Sequence, residues 1–166
     1  MRTAVSAHGT SPEPTAYGIC GVGLVTAEVI EPTPWGVSYR EYGLDFPAEP
    51  ESVFVVRANV RATCSVWRVP QEATDTMTLL ASETVTNAIA VSPGEVLRFT
   101  LRRVLGYLYF DCLDYHPVIP LTPSMPGDGE LSGRGLALTE ELSSSYGWKR
   151  LPQAQGKIRW FTLAVE

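Results

Sequence analysis

The sequence predicts an α+β fold, a two-layer sandwich in which helices cover one face of a mixed, mostly antiparallel sheet. Three observations support this prediction. Apolar residues recur at helical spacing between residues 51 and 91. Apolar and polar residues alternate along 97–112 and again along 158–165, as in half-buried strands. The chain of 166 residues is long enough for one domain with its own core.

The N-terminal part of the chain differs from the rest. Residues 1–36 are predicted to be an extension of uncertain structure, and residues 37–166 a single domain. An apolar run at 18–30 is stopped by Pro32 and Pro34, and it is compatible with a strand, a loose hairpin or a segment that packs on a partner. Residues 35–46 have the composition of a strand.

Two helices are predicted next. The first has apolar residues at helical spacing and ends before Pro70: Val53, Val56, Val60, Cys64 and Trp67. The second ends at the breaker Ser92-Pro93-Gly94, and its apolar stripe consists of Met77, Leu80, Ala81, Thr84, Val85 and Ala88.

The remaining elements are strands and one helix. Two alternating segments, 97–102 and 108–112, are joined by a turn near Leu105-Gly106 and should pair antiparallel. A loop rich in proline and glycine follows Asp114 and runs to Ser132. A helix is then predicted over 134–146, and a last strand over 158–165 with Phe161 and Leu163 on one face.

Composition excludes several classes of protein. A net charge of -5 with scattered basic residues argues against a nucleic-acid-binding surface. No apolar run approaches the roughly 18 residues of a membrane-spanning helix. Three widely spaced cysteines, Cys20, Cys64 and Cys112, do not indicate a disulfide framework. We therefore expect a cytoplasmic protein with no direct contact to nucleic acid or membrane.

The second helix carries the first candidate site, Glu83 and Asn87. At about 100° per residue these two side chains lie at the border of the apolar stripe, on one side of the helix. A carboxylate there could polarise a water molecule, and an amide oxygen could bind a divalent cation. The alternative is an ordinary polar helix flank.

Asp114 and the turn Gly133-Arg134-Gly135 are the other candidates. An aspartate at a strand end can accept a hydrogen bond from the amino group of a base, although a turn aspartate is an equally simple explanation. Glycines at the start of a helix let a phosphate approach its free N–H groups. A glycine loop that only enters a helix would have the same sequence.

Other kinds of site are not supported. The chain has no Walker-type phosphate loop, and its two histidines, His8 and His116, form no zinc-binding pattern with cysteine. His116 lies near Asp114, but no serine has the surroundings of a catalytic nucleophile.

These motifs, in this order, resemble those of the histidine-kinase-like (Bergerat-fold) ATPases over residues 46–165. Glu83-Thr84-Val85-Thr86-Asn87 resembles the Glu-x-x-x-Asn motif of that family. The segment that ends in Asp114-Tyr115-His116-Pro117 is similar to the first glycine box, and Ser132-Gly133-Arg134-Gly135-Leu136 to the second. Among these ATPases, the chain most resembles the anti-sigma regulatory factor serine/threonine kinases.

The resemblance implies a role for each matched residue. Glu83 would be the catalytic base or would orient a water molecule, and Asn87 would bind Mg²⁺ together with ATP. Asp114 would select adenine. The phosphates would be held by the second glycine box, which comprises Gly133, Arg134, Gly135 and Leu136.

The implied function is that of an ATP-binding regulator with serine/threonine kinase activity on a partner protein. The partner would be a sigma factor or a phosphorylatable antagonist of the regulator, and the N-terminal extension would cover the site or mediate homodimer formation. The chain departs from the family at Asp114-Tyr115-His116-Pro117-Val118, where the usual Asp-x-Gly-x-Gly has lost both glycines. The alternative is therefore a non-catalytic module of the same fold that sequesters its partner.

Overall fold

The computed structural model describes residues 26–30, 39–116, 134–151 and 156–165. The elements, in chain order, are β1 (Thr26–Ile30), β2 (Tyr39–Pro47), α1 (Ser52–Val66), α2 (Gln71–Val91), β3 (Val96–Val104), β4 (Tyr107–Asp114), α3 (Arg134–Leu142), β5 (Ser145–Arg150) and β6 (Lys157–Ala164). The strands form one six-stranded sheet in the order β1-β2-β3-β4-β6-β5.

The α+β sandwich predicted from the sequence is confirmed. Every pairing between the described strands is antiparallel, so the sheet contains no parallel pair in this part of the chain. The predicted hairpin turns at Leu105-Gly106, and both residues have positive φ, 47° and 80°. This is the geometry of a tight two-residue hairpin turn, which matches the twist of the flanking strands.

The core lies between the sheet and the helices. The predicted apolar stripes of α1 and α2 are buried, including Val56, Val60, Met77 and Leu80. Opposite them, a row of phenylalanines crosses three neighbouring strands, with ring centroids 5.3 Å apart for Phe99 and Phe110 and 5.2 Å apart for Phe110 and Phe161. Burial of these rings is the main force that holds the helices on the sheet.

The opposite face of the sheet is polar. Arg102 on β3 forms ion pairs with Glu41 on β2 and Asp111 on β4, and Arg98 pairs with Asp45. The helices of the described residues therefore cover one face only, as the sequence predicts.

One predicted boundary is wrong. The helix expected over 134–146 ends at Leu142, and residues 145–150 form strand β5 on the edge of the sheet. The Ser144 N–H donates to the Thr162 carbonyl at 2.8 Å, which turns the chain into register with β6. Pairing with a strand that lies later in the chain outweighs the helical pattern of the local sequence.

Part of the N-terminal extension belongs to the sheet. Of the three alternatives for residues 18–30, the described part is a strand, since β1 pairs with β2 along Thr26–Ile30. The boundary placed at residue 36 lies outside the described residues and remains a prediction. None of the helices that the structure describes is long and apolar enough to cross a membrane.

Candidate functional site

The candidate site lies where β4 ends and β6 begins. Asp114 is the last residue of β4 and faces Lys157, the first residue of β6, across the strand pair. The Tyr115 N–H donates to the Ser92 hydroxyl at 3.0 Å, and this bond ties the end of β4 to the C-terminal end of α2. The end of β4 and the end of α2 therefore meet at this point.

Asp114 and Lys157 form a buried ion pair. The Lys157 Nζ donates to Asp114 Oδ1 at 2.8 Å, with only 6% and 8% of the two side chains exposed. The His116 N–H also donates to Asp114 Oδ1, at 2.9 Å, and the Lys157 Nζ donates to the His116 carbonyl at 3.0 Å. Asp114 Oδ2 makes no hydrogen bond with a described residue, so it is the oxygen left to accept one.

Glu83, Asn87 and Gly135 come together where α2 meets α3. Glu83 and Asn87 are half-buried, as their position at the border of the apolar stripe predicts. A Cβ atom on Gly135 would lie 2.8 Å from Glu83 Oε2 and 3.4 Å from Asn87 Nδ2. Any larger residue here would force the Glu83 side chain to shift, so glycine lets the first turn of α3 lie close to both side chains.

The other members of the second glycine box are only partly described. Gly133 lies outside the described residues. Arg134 and Leu136 belong to α3, but nothing is described of their side chains.

Arg159 is a site residue that the sequence analysis missed. Its side chain is buried on β6, and Nη2 donates to the Thr139 hydroxyl at 2.9 Å and to the Gly135 carbonyl at 3.3 Å. Its guanidinium also lies 5.9 Å from the ring of Trp148. Arg159 thus fixes the first turn of α3 on the sheet and places a positive charge beneath it.

Burial and nearby groups shift the pKa of Arg159 in opposite directions. Burial lowers the pKa of the guanidinium, and the nearby Cys112, Glu83 and Asp114 raise it. An arginine guanidinium is nevertheless not deprotonated in proteins. The charge of Arg159 is therefore a permanent feature of the space between α2, α3 and the sheet.

Lys157 was also missed, although a signal for both residues exists in the sequence. Lys157 and Arg159 lie on the same face of β6 as the buried Phe161 and Leu163, since all four lie at two-residue intervals along the strand. Because side chains alternate along a strand, basic residues at these positions must point toward the helices. A buried basic residue needs an acidic or carbonyl partner, which indicates a polar site at this end of β6.

The residues of the candidate site fit Mg-ATP, except that Asp114, which would bind the adenine base, already pairs with Lys157. Gly135 brings the start of α3 against Glu83 and Asn87, and the free N–H groups at a helix start favour a phosphate. No cluster of three or more potential metal ligands exists among the described residues, but Mg²⁺ is commonly held by one or two protein oxygens and the phosphates of its nucleotide. At the base end, Asp114 can accept a bond from adenine only through Oδ2, since Lys157 occupies Oδ1.

Comparison with known proteins agrees with this arrangement. A family model, the histidine kinase-like ATPase domain, matches residues 46–162, whereas no curated protein matches the chain significantly. The matched stretch runs from the end of β2 into β6 and contains Glu83, Asn87, Asp114 and Gly135. Since it covers well over half of the sequence, the chain belongs to the histidine kinase-like ATPase domain family.

Proposed function

We propose that the chain is a cytoplasmic ATP-binding regulatory protein that phosphorylates serine or threonine on a protein partner. The observation that carries this proposal is the contact of Gly135 with Glu83 and Asn87. It unites two motifs that lie about fifty residues apart in the sequence, and family membership supports the ATP-binding part of the proposal.

Each residue of the site has a task in this proposal. Asn87 holds Mg²⁺, the N–H groups at the start of α3 hold the phosphates, and Asp114 Oδ2 accepts the adenine amino group. Glu83 accepts the proton of the partner's hydroxyl, because its carboxylate lies beside the helix start that holds the phosphates. When bound, Mg-ATP supplies the γ-phosphoryl group for transfer. The partner in this proposal is a sigma factor or an antagonist of the regulator.

The first experiment measures nucleotide binding as the rise in melting temperature that Mg-ATP or Mg-ADP causes. Ligand at one hundred times its Kd stabilises the folded state by about 2.7 kcal/mol, which is a rise of about 5–10 °C for this size of domain. Asn87→Ala should reduce the rise, because it removes the Mg²⁺ ligand while the buried Asp114–Lys157 pair stays intact. Asp45→Asn, on the polar face of the sheet, is the matched control and should keep the full rise. Absence of any rise in the wild type would contradict the proposal.

The second experiment separates catalysis from binding. Glu83→Gln should keep the Mg-ATP-induced rise and lose phosphoryl transfer to a candidate antagonist, as followed with labelled ATP. Transfer at the wild-type rate by this variant would exclude Glu83 as the base.

A non-catalytic interaction module is the second candidate, and the Asp114–Lys157 pair favours it. The ammonium of Lys157 neutralises the carboxylate that should select adenine, which weakens this carboxylate as a base-binding group. A protein that binds its partner without a nucleotide-induced rise in melting temperature would support the module.

A further inference from the structure

A large cavity lies at the other end of the sheet from the candidate site. Its volume is about 830 Å³, and it is lined by Tyr39, Arg40, Val66, Trp67, Arg68, Arg103, Leu105 and Gly106. These residues come from the start of β2, the end of α1 and the hairpin between β3 and β4. Tyr107 and Asp114 mark the two ends of β4, which at about 3.3 Å per residue lie about 23 Å apart. The cavity, called the arginine cavity below, is thus separate from the nucleotide site.

Among the described residues, the lining of the arginine cavity carries three guanidinium groups and no carboxylate. Arg103 donates one N–H to the Trp67 carbonyl, at the end of α1. Arg40 and Arg68 have no ion pair or side-chain hydrogen bond with any residue that the structure describes. In contrast, Arg98, Arg102 and Lys157 each pair with a carboxylate. In a chain of net charge -5, three cations around one cavity with no carboxylate among its described lining residues form a local anion-attracting field.

Two residues of the cavity lining have a backbone conformation that is rare for residues other than glycine. Arg68 and Leu105 have φ of 55° and 47°, and they are the two non-glycine residues with positive φ among the described residues. Both line the arginine cavity. Glycine adopts this conformation without steric cost, so the chain keeps a long side chain at two turns where it strains the backbone. At Leu105 the tight hairpin turn requires the positive φ, and at Arg68 the chain leaves α1 through a turn in which the Val69 N–H donates to the Cys64 carbonyl.

The apolar rim narrows the class of ligand. Val66 is 74% exposed and Leu105 is 76% exposed, and each stands beside an arginine at the mouth of the cavity. A ligand that covers them must combine anionic groups with aliphatic ones. Carboxylates suit the planar fork of guanidinium, which binds both oxygens at once. A lone phosphate would leave the rim uncovered and most of the cavity empty, and a long nucleic acid would be repelled by the acidic remainder of the protein.

We propose that the arginine cavity is a second binding site, which takes an acidic segment of a protein partner with aliphatic residues between its carboxylates. Arg40, Arg68 and Arg103 bind the carboxylates, and Val66 and Leu105 pack on the aliphatic side chains. The proposal does not depend on nucleotide binding, because the two sites share no residue.

The test uses the full chain and a short labelled peptide of Glu-Glu-Leu repeats, with fluorescence anisotropy at low ionic strength. Arg40→Gln/Arg68→Gln should weaken binding at least about tenfold, since two bidentate contacts are lost. The matched control is Arg57→Gln/Arg61→Gln, which removes the same charge from exposed positions of α1 outside the cavity and should change affinity less than about twofold. Peptides with Gln for Glu, or Ser for Leu, should both bind more weakly than the parent.

Several results would overturn the proposal. They are no binding to the wild type, equal losses in the two double variants, and undiminished binding of the Gln or the Ser peptide. Full competition by millimolar inorganic phosphate would reduce the cavity to a small-anion site, and an oligonucleotide that bound as tightly as the peptide would assign it to nucleic acid. Mg-ATP binding is measured in the same samples, so failure of this proposal and failure of the nucleotide site remain distinguishable.

Discussion

The two ends of the sheet differ in whether their charged side chains are buried and paired. At the nucleotide end, Asp114, Lys157 and Arg159 are buried, and each has a partner within the fold. At the other end, Arg40 and Arg68 are exposed and have no partner among the described residues. A buried charge without a partner strongly destabilises the fold, whereas an exposed charge is solvated by water and remains available to a ligand. Substitutions should therefore affect stability at the nucleotide end and binding at the arginine cavity.

The largest expected effect is that of Lys157→Met. It leaves the Asp114 carboxylate buried without its ammonium and should lower the free energy of unfolding by about 3–5 kcal/mol. Urea unfolding measures the change. The double variant Lys157→Met/Asp114→Asn should recover much of the loss, because the isolated charge is gone. Lys149→Met, exposed on β5, is the control, and equal losses for the two single variants would break the comparison.

Gly156→Ala should have the next largest effect. A Cβ at this position would lie 2.7 Å from the Asp114 carbonyl oxygen, which belongs to the backbone and cannot rotate away. The cost should be about 1–3 kcal/mol, the usual range for overpacking. Gly43→Ala is the matched strand control, since its Cβ would meet the Phe99 carbonyl at an ordinary 3.7 Å and should change stability by less than about 0.5 kcal/mol. A cost as small as that of the control would mean that the junction of β4 and β6 is not tightly packed.

Arg68→Gly should sharpen the comparison, because it should raise stability while it weakens binding of the acidic peptide. Relief of the positive φ should raise the free energy of unfolding by about 1–2 kcal/mol. The greater freedom of glycine in the unfolded chain should lower it by about 0.5–1 kcal/mol. Thermal unfolding should therefore show a small gain. Arg61→Gly, within α1, should instead cost about 1 kcal/mol. A loss of stability in Arg68→Gly would mean that Arg68 serves the fold rather than a ligand.

The smallest effect is expected for Asp45→Asn. Asp45 pairs with Arg98 through two hydrogen bonds, but 62% of the arginine and 50% of the aspartate side chain are exposed. Exposed ion pairs contribute about 0–1 kcal/mol, so urea unfolding should hardly change. A loss near that of Lys157→Met would show that pairing, rather than burial, sets the cost of removing a charge.

The sequence predicts most elements correctly because their patterns are local. The apolar stripes of α1 and α2 and the alternation along β3 and β4 are complete within single segments, and breakers such as Pro70 end them. Strand β5 was missed for the opposite reason. It is a short edge strand that pairs with β6, so its formation depends on residues outside the segment, and the predicted helix over 134–146 ran into its first two residues.

The same contrast applies to the candidate site. Helical spacing alone places Glu83 and Asn87 at the edge of a buried face, and strand alternation places Asp114 at a strand end. That Gly135 lies against Glu83 and Asn87 depends on the packing of α3 on α2. That Asp114 already has a cationic partner depends on the register of β4 against β6.

The sequence by itself thus determined the two-layer architecture and the family, and it predicted Glu83, Asn87, Asp114 and Gly135 as site residues, because each of these follows from the spacing of neighbours along the chain. The tertiary structure alone decided which charges are paired and which are not. Pairing joins residues that are distant in sequence, such as Asp114 and Lys157, and it is enforced by the high cost of an isolated charge in a dry interior. The exposed Arg40 and Arg68 are under no such constraint, and only the folded chain brings them to one cavity.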